Sequence, residues 1–209
     1  MITGYDFSNP NDVASRTISY NAENMPVSIK RNGVETLIEY DGTGARSKKT
    51  VGGYSTLYIG DHYEVRNGVP IKYIFGGGQR IAKVVADTAT YYHKDHLGSS
   101  VLLTDEAGQA VSDSASGYTP FGLDREPSGL DVKNHKFTDQ EYDSEAGLYN
   151  YNARMYDPAI GVFITADTIV PNFANPQNLN RYTYCNNNPL IYTDPSGHFS
   201  FHRAWRRFY

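Results

Sequence analysis

Short runs of apolar residues, each interrupted by a single polar position, recur along the first 90 residues, and tight-turn dipeptides separate them. Residues 26–29 and 71–75 are two such runs, and Asn32-Gly33 is one of the dipeptides. Runs of this length are typical of β-strands, and Asn-Gly is a strong signal for a two-residue hairpin turn. The pattern predicts a meander of short antiparallel strands, each hairpin with one buried face.

The strands recur with a period close to 20 residues. Tyr20 and Tyr40 lie 20 residues apart, and turns stand at matching places after them. Self-similarity at such a period indicates a repeat architecture, in which neighbouring units together bury a continuous core.

Beyond residue 90 the repetition weakens and turns become frequent. Residues 143–147 are predicted to form a turn between two strands, the second of which covers residues 148–156. The polar stretch 123–136 is predicted to be a surface loop. Residues 178–182 are the only segment for which we expect a helix.

Composition narrows the protein class. The chain has 18 Tyr, 19 Gly and one Trp, which favours strands and tight turns over a helical bundle. Its formal net charge of -4 argues against binding nucleic acid along the whole surface. The single cysteine, Cys185, excludes a disulfide within the chain and a multi-cysteine zinc site, and we expect it to be a small buried residue.

No targeting or membrane segment is evident. The first residues lack the basic stretch and apolar run of a signal peptide, and no apolar stretch approaches the roughly 18 residues of a membrane span. We therefore expect no stable membrane insertion. Either the protein is cytoplasmic, or it leaves the cell by a route that does not read an N-terminal signal.

Several longer motifs follow one another in a fixed order. They are YYHKDHLGS at 91–99, TPFG at 119–122, GLYNYNARMYDP at 147–158 and NPLIYTDPSG at 188–197. With the Tyr-Asp pair at residues 40–41, they resemble the RHS family, in which tyrosine-aspartate (YD) repeats precede an RHS repeat-associated core. The resemblance covers the chain from about residue 20 to residue 198.

The resemblance implies an all-β fold, a partial shell of antiparallel YD-repeat sheet that ends in a turn-rich core or plug. Such shells occur in bacterial polymorphic toxins, insecticidal toxin complexes and animal teneurins. Residues 1–90 correspond to YD-repeat hairpins, residues 91–198 to the core, and residues 199–209 to a short basic-aromatic tail. The family implies an extracellular or cell-surface protein.

The resemblance also implies a site for self-cleavage, because in many members the plug is an aspartyl autoprotease. Matched to the family motifs, the site comprises Arg154, Asp167 and Asp194, with the cut between His198 and Phe199. Well-studied members carry leucine at the position of His198. Two adjacent carboxylates share one proton, so one can activate water while the other polarises the scissile carbonyl, and an arginine can stabilise the oxyanion.

Simpler interpretations of the same residues stay open. Asp194 begins a sequence, Asp-Pro-Ser-Gly, that is also an ordinary turn motif. Asp167 could be a solvated loop acid, and Arg154 could stack on aromatic neighbours or pair with a carboxylate.

A metal site at His93, Asp95 and His96 is a weaker hypothesis. On a strand, residues 93 and 95 share one face and residue 96 points to the other, so we expect structural hydrogen bonds instead. We predict no metal and no cofactor.

Three functions remain open from the sequence. The chain is a self-processing module, a structural subunit that assembles head-to-tail into a filament or tube, or a remnant of a larger RHS toxin. Its expected partners are other copies or neighbouring RHS shell segments, which would pair with the open sheet edge near residues 20–51.

Overall fold

The computed structural model describes residues 2–5, 13–125, 133–169, 179–198 and 201–202. Within this part of the chain, seventeen strands form three antiparallel sheets of eleven, four and two strands. The structure confirms the predicted all-β class. None of the helices in the described residues is long and apolar enough to cross a membrane.

The large sheet is a simple meander in which each strand pairs with the next one along the chain. Its strands are β1 (Ile2–Tyr5), β2 (Val13–Tyr20), β3 (Pro26–Arg31), β4 (Val34–Tyr40), β5 (Arg46–Val51), β6 (Tyr54–Ile59), β7 (Tyr63–Arg66), β8 (Val69–Gly76), β9 (Gln79–Val85), β10 (Thr88–Lys94) and β11 (Ser100–Thr104). The division at residue 90 remains a prediction, and the sheet continues past it to the end of β11.

The hairpin turns form at the predicted dipeptides. Between β3 and β4, Asn32 and Gly33 have φ angles of 51° and 79°. Two consecutive positive φ angles give the backbone twist that matches paired strands, and Asn and Gly adopt them at low cost. Gly52 and Gly53, with φ angles of 54° and 86°, do the same between β5 and β6.

One face of the large sheet is buried by the rest of the chain. In β4, Thr36 and Ile38 are buried while Leu37 between them is exposed, and β8 repeats the alternation with buried Ile71 and Tyr73. The alternation of buried and exposed residues along the strands thus decides against which face of the sheet the core region packs.

The core region contains the two smaller sheets. They are formed by β12 (Glu141–Asp143), β13 (Leu148–Asn150), β14 (Met155–Asp157) and β15 (Val162–Phe163), and by β16 (Tyr192–Thr193) and β17 (Phe201–His202). The predicted turn at 143–147 is confirmed. The predicted strand at 148–156 is wrong, because the chain turns at Asn152, with a φ of 63°, and the two halves pair as a hairpin.

Two other local predictions need correction. Lys133 belongs to the stretch predicted as a surface loop, but it is buried and its ammonium donates to the carbonyls of Ser100 and Ser114 at 2.9 and 2.5 Å. Residues 126–132 of that stretch lie outside the described residues. In the segment predicted as a helix, residue 178 is also outside them, residue 179 has 3-10 helical conformation and residues 181–182 form a turn, so the described residues show no longer helix there.

Apolar and ionic contacts together join the core region to the sheet. Apolar residues of β3 and β4 pack against the small sheet, as a cluster of Ile29, Ile38, Ala146, Leu148, Met155 and Ile164. Beside it, the fully buried Asp143 accepts hydrogen bonds from Arg46 Nη2 at 2.9 Å and from Lys49 Nζ at 2.5 Å. Since Arg46 and Lys49 belong to β5, this carboxylate holds β12 against the large sheet.

Candidate functional site

Arg154 stands at the centre of the candidate site, in the turn that leads into β14. Its guanidinium carbon lies 3.6 Å from the centroid of the Phe163 ring, and the residue is 5% exposed. Nη2 lies 2.8 Å from Asp167 Oδ2 and 3.7 Å from Asp194 Oδ2. The structure therefore brings together all three residues that the sequence suggested for catalysis.

Asp167 follows β15 and is held from several sides. Its Oδ1 accepts a hydrogen bond from the Ile169 amide at 2.9 Å, and its main chain exchanges two bonds with Arg181. The residue is 5% exposed, so it is not the solvated loop acid of the simpler interpretation. No sequence motif points to Arg181, whose carbonyl also accepts a hydrogen bond from Arg154 Nη1 at 2.9 Å.

Asp194 makes the turn that its sequence motif predicts and also faces the arginine. Its Oδ1 accepts hydrogen bonds from the amides of Gly197 and His198 at 2.9 and 3.2 Å, while Oδ2 points to Arg154. Arg154 Nε in turn donates to the Gly197 carbonyl. The turn and the catalytic interpretations are therefore compatible, because one carboxylate can hold the turn and contact the cation.

His198, the residue before the predicted cut, contacts one of the two aspartates. Its Nδ1 lies 2.9 Å from Asp167 Oδ1, and the side chain is 28% exposed. Phe199, on the other side of the predicted cut, lies outside the described residues, as does most of the tail at 199–209. The sequence identifies His198 as the residue before the predicted cut and as a departure from leucine, and the structure adds its contact with Asp167.

The electrostatics of the site follow from burial. Burial lowers the pKa of the Arg154 guanidinium, and the carboxylates of Asp167 and Asp194 oppose that shift. Asp194 also lines a small cavity of about 40 Å³, together with Lys94 and Asp139. Arg154, Asp167 and His198 are not among the described residues that line this cavity.

The other residues singled out in the sequence have structural contacts. His93 Nε2 lies 2.9 Å from Thr104 Oγ1, and Asp95 Oδ1 accepts the amides of Leu97 and Ser99 at 2.9 and 2.8 Å. The described residues contain no group of three or more His, Cys, Asp or Glu side chains placed to hold a metal ion.

Two further residues complete this set. His96 Nε2 lies 3.3 Å from the Leu190 carbonyl. Cys185 is buried as expected, and burial raises the pKa of its thiol.

Comparison with known proteins shows which family the chain resembles over most of its length. Residues 54–190 match the family model described as Teneurin YD-shell. The tRNA nuclease WapA of Bacillus subtilis (strain 168) is 30% identical over 198 residues, which cover 88% of this chain and 8% of that protein. Toxin protein Tse5 of Pseudomonas aeruginosa is 32% identical over 112 residues, covering 51% of this chain and 8% of Tse5.

The fold also matches a solved structure. A chain in the crystal structure of TcdB2-TccC3-Cdc42 superposes with a TM-score of 0.71 at 21% identity, covering 88% of this chain and 10% of that chain. This similarity supports the YD-shell architecture. The present chain spans a tenth or less of the length of the relatives named here.

Proposed function

Because this chain belongs to the Teneurin YD-shell family, we propose that it forms the end of a YD shell together with its plug, and that the plug cuts its own chain once after His198. The whole protein would then be a polymorphic toxin, which the printed name of its relative, toxin protein Tse5, supports. The resemblance to the RHS family implies that it acts outside the cell or at its surface. The part released by the cut begins at Phe199.

One observation carries the proposal: a single buried guanidinium contacts both aspartates next to the residue that would be cut. Arg154 Nη2 faces Asp167 and Asp194, and Asp194 accepts the backbone amide of His198. Both carboxylates are at least nine-tenths buried, and the guanidinium of Arg154 lies against each of them. A pair that shares one proton has both the acid and the base that peptide hydrolysis requires.

The step balances with water as the only co-reactant. The ionised carboxylate of the pair removes a proton from water, and the oxygen of that water bonds to the carbonyl carbon of His198. The protonated carboxyl gives its proton to the nitrogen of Phe199 as the bond between the two residues breaks. The products are a carboxyl group on His198 and an amine on Phe199, and Arg154 stabilises the negative charge that develops on the carbonyl oxygen.

The mass of the intact chain tests the proposal. We expect the purified chain, kept between about pH 4 and pH 8, to lose residues 199–209, and Asp194→Asn to slow this loss at least about 100-fold. Asp105→Asn is the matched control, because Asp105 Oδ1 accepts two backbone amides at 2.9 and 2.8 Å in an exposed turn of the same kind.

Two outcomes would contradict self-cleavage. The first is the same fragment, at the same rate, from the Asp194→Asn variant. The second is a full-length mass at every pH, and concentration-dependent association in sedimentation would then support the structural alternative. The open edge predicted near residues 20–51 is wrong, because β3, β4 and β5 each pair with a strand on both sides. Within the described residues, a neighbouring shell segment or a second copy would instead pair with β1, which has only β2 as a partner.

A further inference from the structure

A polar cavity of about 370 Å³ lies between the large sheet and the core region. Strands β5 to β9 line it from the side of the sheet, and residues 135–141 line it from the side of the core. Its volume is that of a site for a small ligand. Since its described lining includes none of Arg154, Asp167 and Asp194, the cavity is distinct from the site of the proposed cut.

Two side chains of the lining are more than nine-tenths buried and have a nitrogen without a hydrogen-bond partner. Within the described part of the chain, nothing pairs with Arg80 Nη1 or with His135 Nδ1. The nearest acid to Arg80 is Asp139, whose Oδ1 lies 3.4 Å from Arg80 Nε. A buried donor without an acceptor is unfavourable, so a ligand oxygen that accepts from these nitrogens would bind with a gain in free energy.

Aromatic rings fix the position of the Arg80 guanidinium. Its carbon lies 4.1 Å from the centroid of the Tyr73 ring and 5.0 Å from that of the Phe75 ring. Tyr73 also contacts His135 edge-on, with ring centroids 5.1 Å apart. Because the same ring holds both groups, binding a ligand orders them little further, and less affinity is lost to entropy.

The electrostatic potential at this end of the cavity is positive. Burial lowers the pKa of His135 well below 6.5, and four neighbouring cations lower it further: Arg80, Arg66, Lys94 and Lys83. The ring is therefore uncharged near neutral pH, and its Nδ1 donates a hydrogen bond in one of the two neutral tautomers. A negatively charged acceptor is the group that suits this end.

The rest of the lining has the opposite character. It includes the buried acids Glu64 and Glu141, and the exposed acids Asp41 and Asp61. Carboxylates of this kind accept hydrogen bonds from hydroxyl groups and repel a second negative charge. A ligand with one carboxylate at one end and hydroxyl groups along the remainder therefore matches both parts of the wall.

We propose that this cavity binds a small hydroxylated monocarboxylate of the sugar-acid class, with its carboxylate on Arg80 and His135. The inference does not depend on the proposed function, because no described residue of the lining lies beyond Pro195. The sheet supplies Arg80 and the core region supplies His135, so the bound ligand also stabilises the contact between the two.

Calorimetric titration of the full chain with sodium gluconate tests the inference, with sorbitol as the uncharged polyol of the same carbon number. We expect one gluconate to bind per chain. Affinity should fall at least about tenfold for sorbitol, and for gluconate with Arg80→Gln, because each change removes a charge-assisted hydrogen bond. Arg125→Gln removes an exposed cation outside the described lining and should leave the affinity unchanged.

A second variant adds a charge without removing the buried arginine. Asn150 lines the cavity, and its Oδ1 accepts the Asn152 amide at 3.1 Å, a bond that Asn150→Asp can keep. We expect this variant to bind gluconate at least about fivefold more weakly, because the new carboxylate repels that of the ligand. It decides the question if circular dichroism shows that Arg80→Gln does not fold.

Three results would overturn the inference. The first is a folded parent chain that gives neither heat nor a shift of its urea midpoint at about 10 mM gluconate and constant ionic strength. The second is equal affinity of gluconate for the parent and for the folded cavity variants. The third is binding of sorbitol or inorganic phosphate as tight as that of gluconate, since the site would then not select a monocarboxylate. The presence or absence of the cut after His198 in the same samples concerns only the proposed function.

Discussion

Gly197 occupies a position in the site where no side chain fits. Its φ is +78°, and a Cβ there would lie 2.5 Å from the Tyr151 carbonyl oxygen and 3.2 Å from the Arg154 nitrogen. The glycine thus allows the turn begun by Asp194 to approach the turn that carries Arg154. This close approach brings the carboxylate and the guanidinium together.

Two glycine substitutions distinguish the stability cost of a steric overlap from the cost of a left-handed backbone conformation. Gly108 has nearly the same φ, +75°, but nothing lies within 4 Å of its Cβ position. We expect Gly108→Ala to lower the free energy of unfolding by about 1 to 2 kcal/mol, the usual cost of a left-handed residue. Gly197→Ala should cost at least about 1 kcal/mol more, because its Cβ also overlaps backbone atoms.

Urea unfolding at neutral pH measures both changes. Equal losses for the two variants would mean that the turns at Gly197 and Tyr151 separate easily, and the packing argument would then be wrong.

At the residue scale, the sequence indicates which residues are candidates for the site better than it indicates which side chains contact one another. Arg154, Asp167 and Asp194 were found through motifs, because those motifs are local and specific. The contact between His198 and Asp167 joins residues 31 positions apart, and no local pattern encodes it. The role of Arg181 depends on main-chain bonds, which sequence patterns do not reveal.

At the scale of elements, the sequence predicts the hairpins of the large sheet and the turn between β12 and β13, but not the rest of the small sheet. The hairpins depend on dipeptides such as Asn32-Gly33, which set their own backbone angles. The break between β13 and β14 depends instead on a bend at Asn152, inside a run that has the composition of one strand. The docking of β12 on β5 depends on ion pairs between residues more than 90 positions apart.

The carboxylate of Asp143 should contribute much of the free energy that holds β12 on β5. Asp143 has 0% relative exposure and contacts both Arg46 and Lys49, so Asp143→Asn would leave two buried cations without their main partner. Breaking a buried pair in this way costs about 3 to 5 kcal/mol of stability. Urea unfolding of the variant measures the loss.

The control is an exposed pair on the same sheet. Lys48 and Glu39 lie 2.9 Å apart with side chains 37% and 62% exposed. Glu39→Gln should change the free energy of unfolding by about 0.5 kcal/mol or less, since exposed ion pairs contribute little. If the two variants lose equal stability, the buried network does not hold the elements together.

At the scale of the whole molecule, one buried network of ion pairs decides how the free energy of unfolding depends on pH. Its members are Arg46, Lys49, Glu141 and Asp143. Glu141 lies in the network, with Tyr58 and Arg66 donating to its Oε1 at 2.9 and 3.1 Å. Burial alone would raise the pKa of Glu141, but Lys49, Arg46 and Arg66 outweigh burial and lower the pKa from 4.5 to about 2. Because folding lowers this pKa, the stability it contributes is complete above pH 4.5 and is lost as the pH falls towards 2.

The predicted loss therefore falls between pH 4.5 and pH 2. In Asp194→Asn, which removes the proposed cut, we expect the free energy of unfolding to decline as the pH falls from 4.5 to 2. Adding Glu141→Gln should make that decline shallower, while adding Glu39→Gln should leave it unchanged. Urea unfolding at several pH values across the window measures the slopes, and identical slopes with and without Glu141 would mean that another group drives acid unfolding.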